Sequence, residues 1–212
     1  MSGTGCSVVE AVAGGMRELG IEPIDEASAK IAEYAALLDR WNKTYNLTSV
    51  REIPRIVSLH LLDSLALLPY LHAGTLLDVG SGAGLPGIPV AVMRPDLQVT
   101  LLDANSKKSA FQQQAVIELG LANVAVVCRR VEQYQAPAGF SQIVSRAFSE
   151  LADFVGLTGH LLAEGGRWLA MKGVYPEQEI GRLPQNVAVE VVHKLRVPGV
   201  DGERHLVVMK QI

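Results

Sequence analysis

The chain has 212 residues, of which 49% are hydrophobic and 19% charged, and its formal net charge is −3. This composition excludes a disordered chain, and a chain of this length buries roughly 70% of its unfolded surface without needing disulfides or a structural metal. The near-neutral charge excludes a globally basic nucleic-acid-binding domain, so any nucleic-acid site must be a local patch.

The cysteine count and the hydropathy pattern bear on the compartment. Cys6 and Cys128 form neither a disulfide framework nor a metal-ligand spacing, which favours a reducing environment. Residues 1–5 lack the features of a secretory signal, and no apolar run approaches the ~18 residues of a membrane span. These features predict a cytoplasmic protein that has no membrane partner.

The first seventy residues have the periodicity of helices. One helical face carries the apolar side chains of Ile31, Tyr34, Ala35, Leu38 and Trp41. We predict that Asp25 or Ser28 caps this helix and that Pro54 opens a second one. We therefore expect a helical N-terminal extension over residues 1–72, followed by a main domain over residues 73–212, the two forming one compact unit.

After residue 74, short apolar runs alternate with helical stretches. The predicted strands are residues 75–79, 99–103, 124–128, 143–145, 168–171, 187–197 and 205–210, with helices over 107–119 and 151–162. Such alternation predicts a doubly wound, mostly parallel α/β sheet of the Rossmann-like type. The last two strands are joined by a short turn, which predicts an antiparallel pair at one edge.

Residues 80–87, which we call the glycine loop, follow the first strand. Gly82, Gly84 and Gly87 match the dinucleotide-binding fingerprint, a weak signal by itself. Asp78, just before the loop, is badly placed beside a pyrophosphate and well placed beside an ammonium group. S-adenosyl-L-methionine carries an ammonium group and no phosphate, so we predict that Asp78, Gly80 and Gly82 bind this cofactor.

Asp103 ends the second predicted strand and is suited to accept both hydroxyls of an adenosine ribose. Lys107 and Lys108 follow, in the first turn of a helix that Asn105 or Ser106 would cap. Because the helix dipole disfavours cations there, the two lysines either are solvated or meet an anion such as RNA phosphate.

Several basic residues lie at or near predicted strand ends, which face the ligand crevice in an open α/β sheet. We expect Arg130 and Arg146 to contact cofactor or RNA. Lys172 and Arg204 either touch RNA phosphate or form surface salt bridges. Arg146 and Lys172 are our candidate catalytic residues, and Lys107, Lys108, Arg130 and Arg204 our candidate RNA contacts.

His60, Asp63 and Ser64 share one helical face, at the i, i+3 and i+4 positions. This spacing suggests a catalytic triad, but no nucleophile elbow accompanies it. We interpret the group as polar side chains that orient their helix.

Several motifs are more particular than the glycine loop. They are Trp-Asn-Lys-Thr-Tyr-Asn-Leu-Thr-Ser at 41–49, His-Leu-Leu-Asp-Ser at 60–64, Gly-Leu-Pro-Gly-Ile-Pro at 84–89, Leu-Leu-Asp at 101–103, Arg-Val-Glu at 130–132, Ser-Arg-Ala at 145–147, Leu-Ala-Met-Lys-Gly at 169–173 and Asp-Gly-Glu-Arg-His at 201–205. On these motifs the chain resembles the bacterial 16S ribosomal RNA guanine-N7 methyltransferase family, RsmG or GidB. A departure occurs at residues 141–142, Ser-Gln, where many relatives carry Phe-Asp.

The resemblance implies a class I S-adenosylmethionine-dependent methyltransferase fold and a guanine in the 530 loop of 16S ribosomal RNA as the target, presented by free RNA or by the small ribosomal subunit. It also implies cofactor contacts at Gly80, Leu85, Asp103 with its neighbours Ala104 and Asn105, Val131, Glu132 and Arg146. Because guanine N7 carries an available lone pair, we expect neither a general base nor a metal.

Two other functions remain open on the sequence. One is a methyltransferase that acts on a small molecule through the same cofactor loop. The other is a non-catalytic dinucleotide-binding or redox-sensing module, in which Asp78 would be unfavourable.

Overall fold

The computed structural model describes residues 3–146, 148 and 150–212. Residues 1–2 and Ala147, which belong to sequence features noted above, lie outside the described residues, as does the side chain of Cys6. Within the described ranges, no helix is long and apolar enough to cross a membrane.

Among the residues that the structure describes, seven strands form one sheet in the order β3-β2-β1-β4-β5-β7-β6. The strands are β1 (Gly74–Val79), β2 (Leu97–Asp103), β3 (Val124–Cys128), β4 (Phe140–Ser145), β5 (Leu162–Lys172), β6 (Val187–Leu195) and β7 (Arg204–Gln211). The first five run parallel, whereas β7 is antiparallel to both β5 and β6. This arrangement confirms the predicted sheet and its antiparallel edge.

Helices cover both faces of the sheet. They are α1 (Gly3–Glu18), α2 (Asp25–Tyr45), α3 (Ile53–Ile56), a π-helix (Val57–Leu62), α4 (Asp63–Leu65), α5 (Gly87–Met93), α6 (Ser106–Glu118), α7 (Leu151–Thr158) and α8 (Glu177–Ile180). From α3 to α4 the backbone stays helical, so these three pieces form one continuous segment.

Successive side chains of β1 point to opposite faces of the sheet, and the apolar core forms one cluster on each face. Leu76 packs into a cluster with α2 and α5, and its neighbour Leu77 packs into a second cluster with α7. Ile31 and Leu61 belong to the first cluster, so the N-terminal helices share a core with the sheet. The boundary at residues 72 and 73 stays a prediction.

Two expected helix starts have different outcomes. Asn105 caps α6 as predicted, since its side chain accepts the N–H groups of Lys107 and Lys108 at 3.0 and 3.3 Å. The capping prediction for α2 was wrong: the residue before the helix is Ile24, which makes no side-chain cap. Asp25 is the first helical residue, where its charge is favourable for the helix dipole.

Gly87 allows α5 to pack directly against the sheet. A Cβ at this position would collide with Leu101 Cδ2 and come within 2.9 Å of Asp78 Oδ2. The Gly87 N–H also donates to Asp78 Oδ2 at 2.8 Å. Close packing of this helix against β1 and β2 therefore requires glycine.

We expect Gly87→Ala to lower the free energy of unfolding by about 1–3 kcal/mol, because Leu101 and the buried Asp78 carboxylate must shift to admit the added Cβ. Gly156→Ala is the matched control, since its Cβ would meet nothing within 4 Å in α7. That substitution should stabilise the protein by about 0.4–1 kcal/mol. Urea denaturation measures both, and equal effects would contradict this account of the packing.

Candidate active site

The glycine loop leaves β1 in a tight turn that is bonded to the end of β2. Gly80, Gly82 and Gly84 have φ values of 67°, 59° and 82°, a left-handed conformation that glycine adopts without strain. The N–H groups of Gly80 and Ser81 donate to the Leu102 carbonyl at 2.8 and 3.2 Å. The loop therefore lies at the carboxyl edge of the parallel strands, where open α/β sheets bind ligands.

Two cavities meet at Gly80. The first, of about 560 Å³, we call the arginine cavity; it lies between the glycine loop and the N-terminal helical segment. The second, of about 270 Å³, we call the Asp103 cavity. The arginine cavity is lined by Leu47, Thr48, Val50, Leu59, His60, Asp63, Gly80, Ser81, Gly82, Ala83, Leu85, Arg146, Met171, Lys172, Gly173, Leu195, Arg204 and His205. The Asp103 cavity is lined by Val79, Gly80, Leu102, Asp103, Ala104, Arg129, Arg130, Val131, Glu132 and Phe148.

The Asp103 cavity brings together many of the predicted cofactor residues. Gly80, Asp103, Ala104, Val131 and Glu132 all line it. Arg130, a predicted RNA contact, lines the same cavity, so its position favours the cofactor side.

The Asp103 carboxylate is nearly buried and holds two backbone segments. Its Oδ2 accepts the Gly82 N–H and its Oδ1 accepts the Asn105 N–H, both at 2.8 Å. Each oxygen keeps further acceptor capacity, since a carboxylate offers about four lone-pair sites. Asn105 is exposed and is not among the residues that line the cavity; its amide N–H fixes Asp103, and its side chain caps α6.

Asp78 is fully buried beneath the glycine loop. Its Oδ2 accepts the Gly87 N–H, and its Oδ1 has no hydrogen-bond partner among the described residues. Burial is the main cause that raises the pKa of Asp78 to about 7, and the Gly87 hydrogen bond and the nearby Arg146 oppose that shift. Asp78 thus anchors α5, a role that the sequence did not predict. Its contact with an ammonium group stays a prediction.

Arg146 and Arg204 meet on one wall of the arginine cavity through Asp63. Arg146 Nη1 lies 2.9 Å from Asp63 Oδ2, and Arg204 Nε lies 3.1 Å from Asp63 Oδ1. Both arginine side chains are largely buried, at 22% and 27% exposure, and Asp63 is at 6%. Arg204 is therefore part of a buried ion-pair cluster, neither a surface salt bridge nor a solvated cation.

Lys172, at the end of β5, lies on the same cavity. Its Nζ is 2.6 Å from Glu179 Oε2 and donates to the Phe148 carbonyl at 3.1 Å. The side chain is only 11% exposed, so its charge is held in a fixed place.

His60 and Thr48 continue the wall that Asp63 begins. Val50 N–H donates to Thr48 Oγ1 at 3.1 Å, Thr48 Oγ1 lies 2.8 Å from His60 Nε2, and His60 Nδ1 lies 3.1 Å from the Leu59 carbonyl. Burial and the neighbouring Arg146 lower the pKa of His60 to about 4, so the ring is neutral at physiological pH. With Nδ1 as the donor to Leu59, Nε2 accepts from the Thr48 hydroxyl.

Sequence reasoning missed Asp63 and His60 as cavity residues. Their shared helical face was visible, but the partners of Asp63 lie 83 and 141 residues away in the chain. His205, which also lines the arginine cavity, was missed as well; its ring packs edge-on against the exposed Tyr175, with ring centroids 5.7 Å apart. Lys107 and Lys108 lie in the first turn of α6, exposed and half-buried, and their RNA contacts stay predictions.

We expect Asp78→Asn to change how stability depends on pH. The folded protein keeps the Asp78 proton up to about pH 7, whereas an unfolded aspartate loses it near pH ~4. Between these values the unfolded state binds fewer protons, so the contribution of Asp78 to the free energy of unfolding falls as pH rises and is constant above about 7. Urea denaturation of the wild-type protein and of Asp78→Asn, from about pH 5 to about pH 8, measures the free energy of unfolding at each pH. A difference between them that does not vary with pH would contradict it.

Comparisons with known proteins identify the family. The family profile "GidB: rRNA small subunit methyltransferase G" matches residues 27–207. The chain is 57% identical over 203 residues to "Ribosomal RNA small subunit methyltransferase G" of Neisseria meningitidis serogroup C, which covers 95% of this chain and 98% of that protein. It is 56% identical over 198 residues to the protein of the same name from Laribacter hongkongensis, covering 93% and 96%.

Solved structures support the fold at much lower sequence identity. The glycopeptide N-methyltransferase MtfA, in complex with S-adenosyl-L-methionine, superposes with a TM-score of 0.62 at 13% identity, covering 72% of this chain and 87% of that one. A SAM-dependent methyltransferase from Aquifex aeolicus gives a TM-score of 0.58 at 18% identity, covering 74% and 93%. The predicted class I methyltransferase fold is thereby confirmed. With the profile and the close relatives taken together, the chain belongs to the GidB family, the rRNA small subunit methyltransferases G.

Proposed function

We propose that this protein transfers a methyl group from S-adenosyl-L-methionine to N7 of a guanine in the 530 loop of 16S ribosomal RNA. The close relatives are named ribosomal RNA small subunit methyltransferase G. The observation that carries the proposal is the pair of cavities joined at Gly80. One has a carboxylate, Asp103, that can accept ribose hydroxyls, and the other has a cationic wall suited to a nucleotide.

The residues of the Asp103 cavity fit the cofactor. Each oxygen of Asp103 takes one backbone N–H and has capacity to accept a ribose hydroxyl. Asp78 lines neither cavity, but its buried Oδ1 has no hydrogen-bond partner among the described residues. Because buried polar atoms are normally satisfied, this oxygen suits a positively charged ammonium group. We propose that the other cofactor contacts are Gly80, Gly82, Leu85, Ala104, Asn105, Val131, Glu132 and Arg146.

The reaction depends on the positioning of the guanine more than on proton transfer. When bound, the cofactor supplies an electrophilic methyl group, and guanine N7 already carries an in-plane lone pair. The protein must then hold N7 in line with that group, at roughly 3–3.5 Å, and keep water out. Arg146 and Lys172 line the arginine cavity, and each is fixed there by a carboxylate. We propose that they hold the guanine, whose O6 next to N7 is an acceptor for such donors.

We also propose that residues 1–72 form a helical extension that completes the target side of a methyltransferase domain over residues 73–212. Leu47, Thr48, Leu59, His60 and Asp63 all line the arginine cavity. The RNA backbone would pass along the carboxyl edge of the sheet, where Lys107, Lys108 and Arg204 lie, with Arg130 at the Asp103 cavity.

Methyl transfer from tritiated cofactor tests this function. The substrates are 16S ribosomal RNA and small ribosomal subunits from cells that lack this protein, followed by mapping of N7-methylguanine. We expect label in the 530 loop of at least one substrate. No label on either, with S-adenosylhomocysteine binding intact, would favour a small-molecule substrate. Stabilisation by NAD but not by S-adenosylhomocysteine in thermal unfolding would favour the non-catalytic module.

We expect Gly80→Val to weaken S-adenosylhomocysteine binding by about tenfold or more, because the side chain enters the junction of the two cavities. Gly120→Val is the control: Gly120 has φ of 63°, close to the 67° of Gly80, and lies after α6. Because the two φ values are close, we expect similar backbone strain in both variants. Calorimetry on the folded variants should show near-normal affinity for the Gly120 variant only, and equal losses would count against the assignment.

We expect Lys107→Ala and Lys108→Ala to weaken RNA binding and to flatten its salt dependence by about one unit of slope per lost phosphate contact. Cofactor affinity should not change. Lys210→Ala is the control, because Lys210 pairs with Glu190 near the end of β7 that lies away from the cavities. The measurement is RNA affinity as a function of salt concentration. If the slopes for both variants equal that of the control, the two lysines are not part of the RNA-binding surface.

A further inference from the structure

The cluster at Asp63 joins three separate parts of the chain. Asp63 follows the π-helix Val57–Leu62 at the start of α4, Arg146 follows β4, and Arg204 begins β7. Each carboxylate oxygen of Asp63 pairs with one guanidinium: Oδ2 lies 2.9 Å from Arg146 Nη1, and Oδ1 lies 3.1 Å from Arg204 Nε. A π-helical turn is rare and is found often at functional sites. Asp63 is therefore the carboxylate that the two arginines share on the cavity wall, in addition to the carbonyls of Leu59 and Glu203, which accept from Arg146 at 3.4 Å and from Arg204 at 2.8 Å.

Asp63 is also the only carboxylate among the described residues that line the arginine cavity. Three cations, Arg146, Lys172 and Arg204, line the same cavity, and Glu179 offsets Lys172 from behind. His60 on this wall is neutral at physiological pH. Without Asp63, two unbalanced guanidinium charges would face the cavity from one wall.

This charge balance matters for methylation at N7. In that reaction N7 forms a bond to the methyl carbon while the carbon–sulfur bond breaks, and its electron pair stays on sulfur. The positive charge thus moves from the sulfonium to the guanine ring. Cations that attract RNA phosphate bind the substrate well, but the same cations beside the ring repel the charge that develops there. A group that interacts differently with ground state and transition state affects turnover more than binding.

We propose that Asp63 is a positioning residue for this reaction: it orients Arg146 and Arg204 toward the target nucleotide and offsets their charge as the guanine becomes cationic. The inference rests on the proposed function. Asp63, which lies in the N-terminal segment, thus acts on turnover through the two arginines.

The test is Asp63→Asn, assayed on whichever of 16S ribosomal RNA or small subunits the wild-type protein methylates. We expect kcat to fall by about 10- to 100-fold, because the arginines lose both their alignment and their compensating charge. RNA affinity should be unchanged or tighter, since the cavity gains one positive charge, and S-adenosylhomocysteine affinity should stay normal. Glu203→Gln is the matched control: it also removes a carboxylate paired with a cation, Lys194, but at an exposed position beside Arg204.

A second variant separates this role from a loss of folding. Asp63→Asn combined with Arg204→Gln restores the net charge of the wall, so at saturating RNA it should recover part of the kcat that Asp63→Asn alone loses, with a higher KM. Thermal unfolding of every variant identifies those that are not folded.

The outcomes distinguish the inference from the function on which it rests. A wild-type protein that methylates neither substrate would overturn the proposed function. A methylating wild type would overturn the inference alone if Asp63→Asn kept its kcat, lost RNA affinity in step with kcat, or gained nothing from Arg204→Gln.

Discussion

The site depends on two carboxylates that hold the glycine loop against the sheet. Asp103 accepts the Gly82 N–H and Asp78 accepts the Gly87 N–H, each at 2.8 Å. Hydrogen bonds are electrostatically stronger where water is excluded than they are in water. The backbone between them is therefore held in place by the protein itself, and both cavities take their shape from it.

The N-terminal segment is part of the site as well as of the core. The Tyr34 hydroxyl of α2 donates to the Ala83 carbonyl inside the glycine loop, and burial raises the pKa of Tyr34, which keeps it a donor. From the other side, the helical segment that carries His60 and Asp63 forms a wall of the arginine cavity. The loop thus lies between a sheet that orders its backbone and helices that enclose the space for a target.

Local patterns predicted well those features that neighbouring residues decide. The third strand was predicted with the bounds that β3 has, and Asn105 caps α6. The prediction placed the start of the fifth strand at residue 168, whereas β5 begins at Leu162. Gly165 and Gly166 interrupt the apolar pattern, and the register with β4 shifts between Leu162 and Arg167. The side-chain cap expected for α2 is absent: Ile24 precedes the helix, Asp25 is already its first residue, and the buried Ser28 hydroxyl donates to Met16 Sδ at 3.8 Å.

The sequence by itself determined the strand–helix alternation, the glycine loop and the acidic residue that ends β2, since each depends on residues close together in the chain. Spacing alone also marked Arg146 and Arg204 as strand-end cations. Only the tertiary structure decided that Asp63 joins them, that Arg130 lies beside Asp103, and that Asp78 is buried under the loop. These pairings arise when distant segments are brought together by burial of the apolar core, and no local periodicity records which polar side chains then meet.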